Sequence, residues 1–284
     1  MAGDDAHMIE QRLDEWLDAA KRIALAAGEA ILAAADSAAD ADEKADGSPV
    51  TRADRAAHKV IVAGLAALRP ALPILSEEGD VEQSRKACAA AEAYWLVDPL
   101  DGTKELIKGN GEYTVNIALI RDATPVLGVV YSPALRRLYY AARGRGAWRS
   151  DADDPPVRLS GRKQDGPLTA VVSRSHGNAE TEAFLDRLGV KERIRRGSSL
   201  KMCAVAEGEA DIYPRLGPTC YWDTAAGAAV AEAAGCSVED LAGAPLRYDC
   251  ADSVRHEGFI ARAHDENRFA NDTRRSVGGA DGAI

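Results

Sequence analysis

The sequence predicts a mixed α+β or α/β fold in which sheets are covered by helices, and three features predict it. A long Ala-rich amphipathic stretch opens the chain, closely spaced strand-like segments fill its middle, and strand and helix patterns alternate after about residue 156. Alternation of that kind asks for a sheet with helices packed on it, because neither element can bury its apolar face alone.

In the first stretch, Ile9, Leu13, Trp16, Leu17, Ala20, Ala24, Ala27 and Ile31 recur at helical spacing, which predicts a helix over about 7–36. The polar, acidic DSAADADEKADG that follows reads as a loop to Gly47. A second helix, capped by Thr51 or Asp54, ends near Arg69-Pro70. Leu75-Ser76-Glu77-Glu78-Gly79 is an apolar run ending in acids. Tyr94-Trp95-Leu96-Val97 has the composition of a buried strand. It stops at Asp98, turns at Pro99 and presents a second carboxylate at Asp101. Gly102-Thr103 then opens a short helix to about Lys108, with Asp101 as its N-cap.

Strand composition returns at 113–120, 126–132 and 137–142, and Arg143 to Trp148 reads as a glycine turn into a further strand. Those glycines are not a nucleotide loop, since no helix follows them. Asp151 to Pro156 reads as a linker, so the chain divides into an N-terminal half, 1–155, and a C-terminal half, 156–263. In the second half, strands are expected at 168–173, 211–213 and 258–261, with helices at 179–188, 198–207 and 223–235. The polar, Gly-rich segment 264–284 is expected to be a disordered tail.

Composition narrows the function. Hydrophobic content of 46% and charged content of 28% suit a globular chain with a full core. A net charge of −10 argues against a surface that coats nucleic acid. Five cysteines, widely spaced and without a C-x-x-C, fit reduced thiols better than a disulfide framework or a zinc site. The acidic start lacks the basic and apolar regions of a signal peptide, and no run has the length of a membrane span. A cytoplasmic protein with no integral membrane segment is expected, as a monomer or a homodimer.

Three acidic sites then stand out. Asp98 and Asp101 flank a strand-to-helix turn, Glu77 ends the upstream apolar run, and Asp223 follows an aromatic pair and precedes an Ala-rich helix. Carboxylates hold hard cations, and unpaired helix N–H groups hold an anion bridged to them, so the arrangement reads as a Mg²⁺-phosphate site. Taken alone, D-P-L-D-G-T is equally well an acidic turn in which Asp101 caps and Asp98 is solvated, and Asp223 equally well a helix cap.

Together these motifs, with D-P-L-D-G-T-K-E-L-I-K-G-N-G-E-Y-T-V-N-I-A-L-I in the same order and spacing, resemble the inositol monophosphatase superfamily of metal-dependent, lithium-sensitive phosphatases. Within it they look like the CysQ-type branch of 3'(2'),5'-bisphosphate nucleotidases, over about residues 23–263. The resemblance implies a layered αβαβα sandwich of the sugar-phosphatase type and two or three Mg²⁺ ions. Glu77, Asp98 and the Leu100 carbonyl would hold the first ion. Asp98, Asp101 and Asp223 would hold the second, and a weaker third would bind through Glu77. It assigns catalysis to Asp54, Thr103 and Glu77, with Asp54 orienting the Thr103 hydroxyl that activates water.

Gly102 and Thr103 N–H groups would bind the reacting phosphate, beside Glu77, Leu100, Asp101 and Asp223. Ser175, His176, Ser198, Ser199, Lys201 and Arg215 would meet the rest of the substrate. Read without the resemblance, His176 is a loop histidine, Lys201 a solvated helix lysine and Arg215 the partner of a surface acid. The basic run Arg193, Arg195 and Arg196 reads as surface. The implied reaction is hydrolysis of the 3'-phosphate of adenosine 3',5'-bisphosphate to AMP, with its sulfated derivative as a further substrate. Inositol monophosphate and fructose 1,6-bisphosphate are alternative substrates on the same scaffold, and a non-catalytic phosphate-binding protein is the alternative of another class. Some relatives are peripheral at the inner membrane, for which these residues offer no physical basis.

Overall fold

The structure, a computed structural model, describes residues 2–35, 42–43, 49–152, 154–161, 167–175 and 177–263. The expected tail from His264 and most of the acidic loop after Asp36 lie outside the described residues.

Helix α1 (Ala2–Ala34) starts earlier than its periodicity predicts, and a two-residue pair, β1 (Asp42–Glu43) with β2 (Pro49–Val50), leads into α2 (Arg52–Ala66). Both candidate caps of α2 act at once. Thr51 accepts from the Ala53 N–H at 3.1 Å, and Asp54 accepts from the Thr51 N–H at 2.8 Å, a reciprocal box that satisfies two orphan donors. Next come β3 (Ile74–Ser76), α3 (Val81–Ala89), β4 (Ala93–Asp101) and the single turn α4 (Thr103–Ile107). An antiparallel meander follows: β5 (Thr114–Arg121), β6 (Thr124–Ser132), β7 (Arg137–Ala142), β8 (Gly146–Asp151) and β9 (Val157–Leu159). Strands β3 to β9 form one seven-stranded sheet in sequence order, with only β3 and β4 parallel.

The second sheet has five strands. The chain runs through β10 (Thr169–Ser173), α5 (Ala179–Arg187), β11 (Glu192–Arg196), α6 (Leu200–Ala206) and β12 (Ile212–Arg215). It then passes a two-residue strand β13 (Thr219–Cys220), α7 (Tyr221–Ala233), β14 (Ser237–Asp240), a second two-residue strand β15 (Arg255–His256) and β16 (Phe259–Arg262). The order is β11-β10-β12-β16-β14, while β13 pairs with β15 apart from the sheet.

Strand alternation distributes the core into layers. On β4, Ala93, Trp95 and Val97 join a cluster with Leu13 and Trp16 of α1 and Ala57 and Ile61 of α2, while Tyr94 and Leu96 face α6 and α7. The rings of Trp16 and Trp95 meet edge to face at 6.0 Å. On the smaller sheet, Val171, Tyr213, Phe259 and Ala261 face the same α6–α7 layer, whereas Ala170, Val172, Ile212 and Ile260 turn to Phe184 and Leu185 of α5. The layers are therefore α1/α2, large sheet, α6/α7, small sheet and α5, an αβαβα sandwich. Burying each large side chain in such a core stabilises the fold by about 1.5–3 kcal/mol.

The middle layer is thin because its helix carries small residues. Ala225, Ala226, Ala228, Ala229 and Ala231 of α7 are buried, and a Cβ placed on Gly128 of β6 would lie 2.4 Å from the Ala226 carbonyl. Glycine there lets the sheet and helix backbones touch.

Two local readings need correction, and two segments gain a structure the sequence did not declare. Asp101 does not cap α4; it ends β4, and Gly102 at φ 97° occupies the cap position without a side-chain bond. That φ is in the left-handed region glycine tolerates. Helix α7 starts at Tyr221 rather than at Asp223, which sits inside its first turn. The run at 193–196 is an edge strand, with Arg193 paired to Glu182 and Asp186 and Arg196 to Glu209. Val81–Ala89, too charged to show an apolar stripe, is helix α3, capped by Asp80 and burying Cys88. All five cysteines are free, as expected, and no helix among the described residues is long and apolar enough to cross a membrane.

Candidate active site

Two acids three residues apart on a regular strand point to opposite faces. Here the β4–β5 ladder pairs Asp98 with Asn116 and then Asp101 with Thr114, so β4 advances three residues while β5 advances two. This bulge turns both carboxylates into one cavity, which bulges beside functional sites commonly do. The cavity, of about 270 Å³, is also lined by Glu77 from the end of β3 and Asp223 from the first turn of α7. Leu100, Gly102 and Thr103 form its floor, and Ser198, Ser199, Lys201 and Arg215 face them from the other half.

Local donors fix the direction of each carboxylate. The Leu100 N–H donates to Asp98 Oδ1 at 3.0 Å. Asp223 Oδ2 accepts from the Thr219 hydroxyl at 2.8 Å and the Cys220 N–H at 3.0 Å. Ser199 Oγ donates to Asp101 Oδ2 at 3.1 Å and is itself held by Asn116 Nδ2 at 2.9 Å. Thr103 Oγ1 donates to Asp54 Oδ1 at 3.1 Å, and the other Asp54 oxygen accepts from Thr51 Oγ1 at 2.6 Å. Asp54, 2% exposed, is thus locked by the α2 cap and aimed at Thr103. Lys201 is buried rather than solvated; its ammonium donates to the Ser198 carbonyl at 2.5 Å. The Arg215 guanidinium donates to the Pro218 carbonyl at 3.0 Å from the cavity wall.

Electrostatics in this cavity oppose the charged state of its acids. Burial pushes the Asp98 carboxyl well above the usual carboxylate range, and Glu77, Asp101 and Asp223 add to the rise. Burial also raises Asp101, against the opposing pull of Lys201, and raises Asp223 to about 7 with the Asp101 charge contributing. Lys201 is lowered by burial, with Asp101 opposing. Glu77, Asp101 and Asp223 thus all oppose the charge on Asp98. A divalent cation would answer that shared charge, so the donor set fits Mg²⁺. As they stand, no three Asp, Glu, His or Cys side chains among the described residues already form a cage for one ion. Local bonds to Leu100, Ser199, Thr219 and Cys220 hold the acids around the cavity instead.

Of the remaining residues singled out by sequence, Ser175 does not itself line the cavity but donates to the lining residue Glu105 at 2.5 Å and accepts from Lys108 at 3.2 Å, and His176 lies outside the described residues. Glu105, which α4 buries in the wall, carries no signal in the sequence that sets it apart from a surface helix acid. Thr114 and Asn116 were also missed. They are polar residues on the inner face of an otherwise apolar strand, and they bond Ser198 at 3.2 Å and Ser199 at 2.9 Å.

Known proteins match most of this chain. The Inositol monophosphatase family description matches residues 12–275. The 3'(2'),5'-bisphosphate nucleotidase CysQ of Escherichia coli O157:H7 is 50% identical over 250 residues, 86% of this chain and 98% of that one. The protein of the same name from Buchnera aphidicola is 42% identical over 222 residues, 78% of this chain and 82% of its own. Among solved structures, CysQ from Bacteroides thetaiotaomicron, a bacterial member of the same family, has a TM-score of 0.78 and 43% identity, covering 89% and 98% of the two chains. Mycobacterium tuberculosis SuhB has a TM-score of 0.69 and 28% identity over 91% and 93%.

Proposed function

The chain belongs to the inositol monophosphatase family, and from that premise we propose that it is a Mg²⁺-dependent 3'(2'),5'-bisphosphate nucleotidase. It acts in the cytoplasm, removing the 3'-phosphate of adenosine 3',5'-bisphosphate, and of its 5'-phosphosulfate derivative, to leave the 5'-nucleotide and phosphate. The observation that carries this reading is a cavity lined by groups of opposite charge. Four carboxylates, Glu77, Asp98, Asp101 and Asp223, line it together with the cationic Lys201 and Arg215. Acids with a resident divalent cation suit the reacting phosphate, and the two cationic side chains suit a second phosphate on the same ligand. The relatives named above support the nucleotide over an inositol phosphate.

Glu77, Asp98, the Leu100 carbonyl, Asp101 and Asp223 would hold two ions, or three with a weaker one through Glu77. Bound there, Mg²⁺ supplies charge neutralisation on the phosphoryl oxygens and the leaving oxygen. The chain's own residues do the rest. Gly102 and Thr103 N–H groups orient the phosphate. Water donates a proton to Thr103 Oγ1, whose own proton already points at Asp54 Oδ1, so the proton has a path into a carboxylate held rigid by Thr51. The water oxygen forms the new bond to phosphorus as the bond to the ribose oxygen breaks, and that oxygen leaves with the electron pair and takes a proton from solvent.

A phosphate-release panel with Mg²⁺ tests the reading. Turnover is expected on adenosine 3',5'-bisphosphate above inositol monophosphate and fructose 1,6-bisphosphate, abolished by chelation and inhibited by Li⁺. Equal or faster turnover of inositol monophosphate would reject the nucleotidase assignment.

A further inference from the structure

We propose that Glu112 is a positioning residue that fastens the turn at 197–199 of the second half against the reacting half, and thereby sets the end of the cavity that meets the distal part of the substrate. The inference rests on the nucleotidase reading for its choice of substrates. The structural observation behind it stands separately.

Glu112 lies between α4 and β5, in the half that carries the large sheet, and its carboxylate accepts three hydrogen bonds from the other half. Arg174 Nε donates to Oε2 at 2.6 Å and Arg174 NH2 to Oε1 at 2.8 Å, a two-pronged pairing, while the Gly197 N–H donates to Oε2 at 2.7 Å. Arg174 stands at the end of β10 and also donates to the Arg195 carbonyl at 3.0 Å, so one carboxylate gathers the ends of β10 and β11 together with the turn after them. The approach is as close as backbone allows. A Cβ on Gly197 would lie 2.5 Å from the Glu112 carbonyl oxygen and 3.0 Å from Glu105 Cγ.

What the turn carries explains why its position matters. Ser198 is held at φ 43° and its carbonyl accepts from the buried Lys201 ammonium, and Ser199 Oγ reaches Asp101. Each of these groups lines the cavity, whereas Glu112 and Arg174 do not. A turn displaced from Glu112 would carry Ser198, Ser199 and Lys201 with it. The Arg174 side chain is 40% exposed, so the pair as a plain surface ion pair would add little to stability. The three charge-assisted bonds instead give orientation, the property two-pronged pairs supply. Burial pushes the Glu112 carboxyl up, but Arg174 and the Gly197 N–H together outweigh it and hold it below the usual range, so it stays charged near neutral pH.

Glu112→Ala and Glu112→Gln, with Glu112→Asp as the conservative variant, test the proposal by kinetics and by amide hydrogen exchange over 195–203 in the substrate-free protein. The alanine and glutamine variants are expected to raise KM for adenosine 3',5'-bisphosphate by about 10–100-fold, the scale of a displacement near 1 Å. A smaller rise is expected on adenosine 3'-monophosphate, with kcat less affected and partial recovery in the aspartate variant. Exchange at 197–202 should quicken while the large sheet is unchanged. Unaltered exchange there, or equal losses on both substrates, would overturn the proposal. If the wild-type protein does not hydrolyse the bisphosphate, the nucleotidase reading fails, and the exchange measurement alone decides whether Glu112 fastens the turn. Should the alanine variant not fold, the glutamine variant, which keeps the volume, carries both measurements.

Discussion

The two walls of the cavity are built in opposite ways. Asp98, Asp101 and Thr103 come from one continuous piece, the end of β4 and its bulge, joined by Glu77 from β3 and Asp223 from α7, whereas Ser198, Lys201 and Arg215 come from separate stretches of the second half. A continuous wall keeps its geometry through local bonds such as Leu100 N–H to Asp98. A dispersed wall needs contacts between halves as well as local bonds such as Lys201 to the Ser198 carbonyl, and Asn116 to Ser199 and Glu112 to Arg174 supply them. On the proposed function, chemistry that tolerates no drift falls to the first, and recognition of the remainder of the ligand to the second.

The largest expected effect strikes the continuous wall. Asp98→Asn removes the carboxylate facing Glu77, Asp101 and Asp223 together, and turnover should fall by roughly 10³-fold or more, equivalent to the several kcal/mol a bound metal contributes. The protein should still fold, since a buried charge opposed by its neighbours is lost with it. Near-normal phosphate release from this variant would break the assignment of the acidic wall to a metal.

Thr103→Ala tests the other end of the same piece. It keeps the backbone N–H and deletes the hydroxyl bonded to Asp54, so kcat should drop by about 10²–10⁴-fold with little change in KM. An unchanged kcat would leave Thr103 as a helix-start residue and Asp54 as half of a cap.

Arg215→Glu addresses the dispersed wall. It replaces donors with a repelling acid, and kcat/KM on adenosine 3',5'-bisphosphate should fall about 10–100-fold, the scale of a bond to a charged group. Inositol monophosphate, which has no second phosphate, should lose much less. Equal losses on both would show that Arg215 does not select the ligand and would erase the contrast between the walls.

The smallest effect is thermodynamic. In chelated protein Asp98, Asp101 and Asp223 are raised, Asp223 to about 7, so between the ordinary carboxylate range and about pH 7 the folded state binds more protons than the unfolded. Stability then falls as pH rises through that window, and the melting temperature should decline by a few °C from about pH 5.5 to 8. Mg²⁺ should flatten the slope. A melting temperature independent of pH in chelated protein would mean the acids are neutralised in another way.

The same contrast explains how much is legible in the sequence. Glu77, Asp98, Asp101, Thr103 and Asp223 can be singled out because each ends an apolar run or opens a helix, whereas the layering is implied by the family resemblance: Tyr94 to Val97 is apolar throughout, and only the structure divides Trp95 and Val97 from Tyr94 and Leu96. The cap position is misplaced because a bulge, invisible in composition, pulls Asp101 into β4 and leaves Gly102 at the helix start. Helix α7 is started late because Asp223 resembles a cap, whereas it accepts the Cys220 N–H from inside the first turn. Strand β11 is hidden by its charges: E-R-I-R-R on a sheet edge pairs outward with Glu182, Asp186 and Glu209 rather than alternating apolar and polar. Glu112 carries no local signature, since its partners Arg174 and Gly197 are 62 and 85 positions away.

The contact of Gly128 with α7 has a reach beyond packing. Helix α7 is shared by both sheets, and its first turn presents Asp223 to the cavity. The spacing between α7 and the large sheet is therefore set where the bare backbone of Gly128 meets the Ala226 carbonyl and the Ala229 methyl. Added bulk along that seam has no slack to enter and works as a shim, easing α7 away from β6 and carrying Asp223 out of line with Asp98 and Asp101. Small residues of this helix, with no polar side chain to offer the cavity, thus set where Asp223 stands against Asp98 and Asp101.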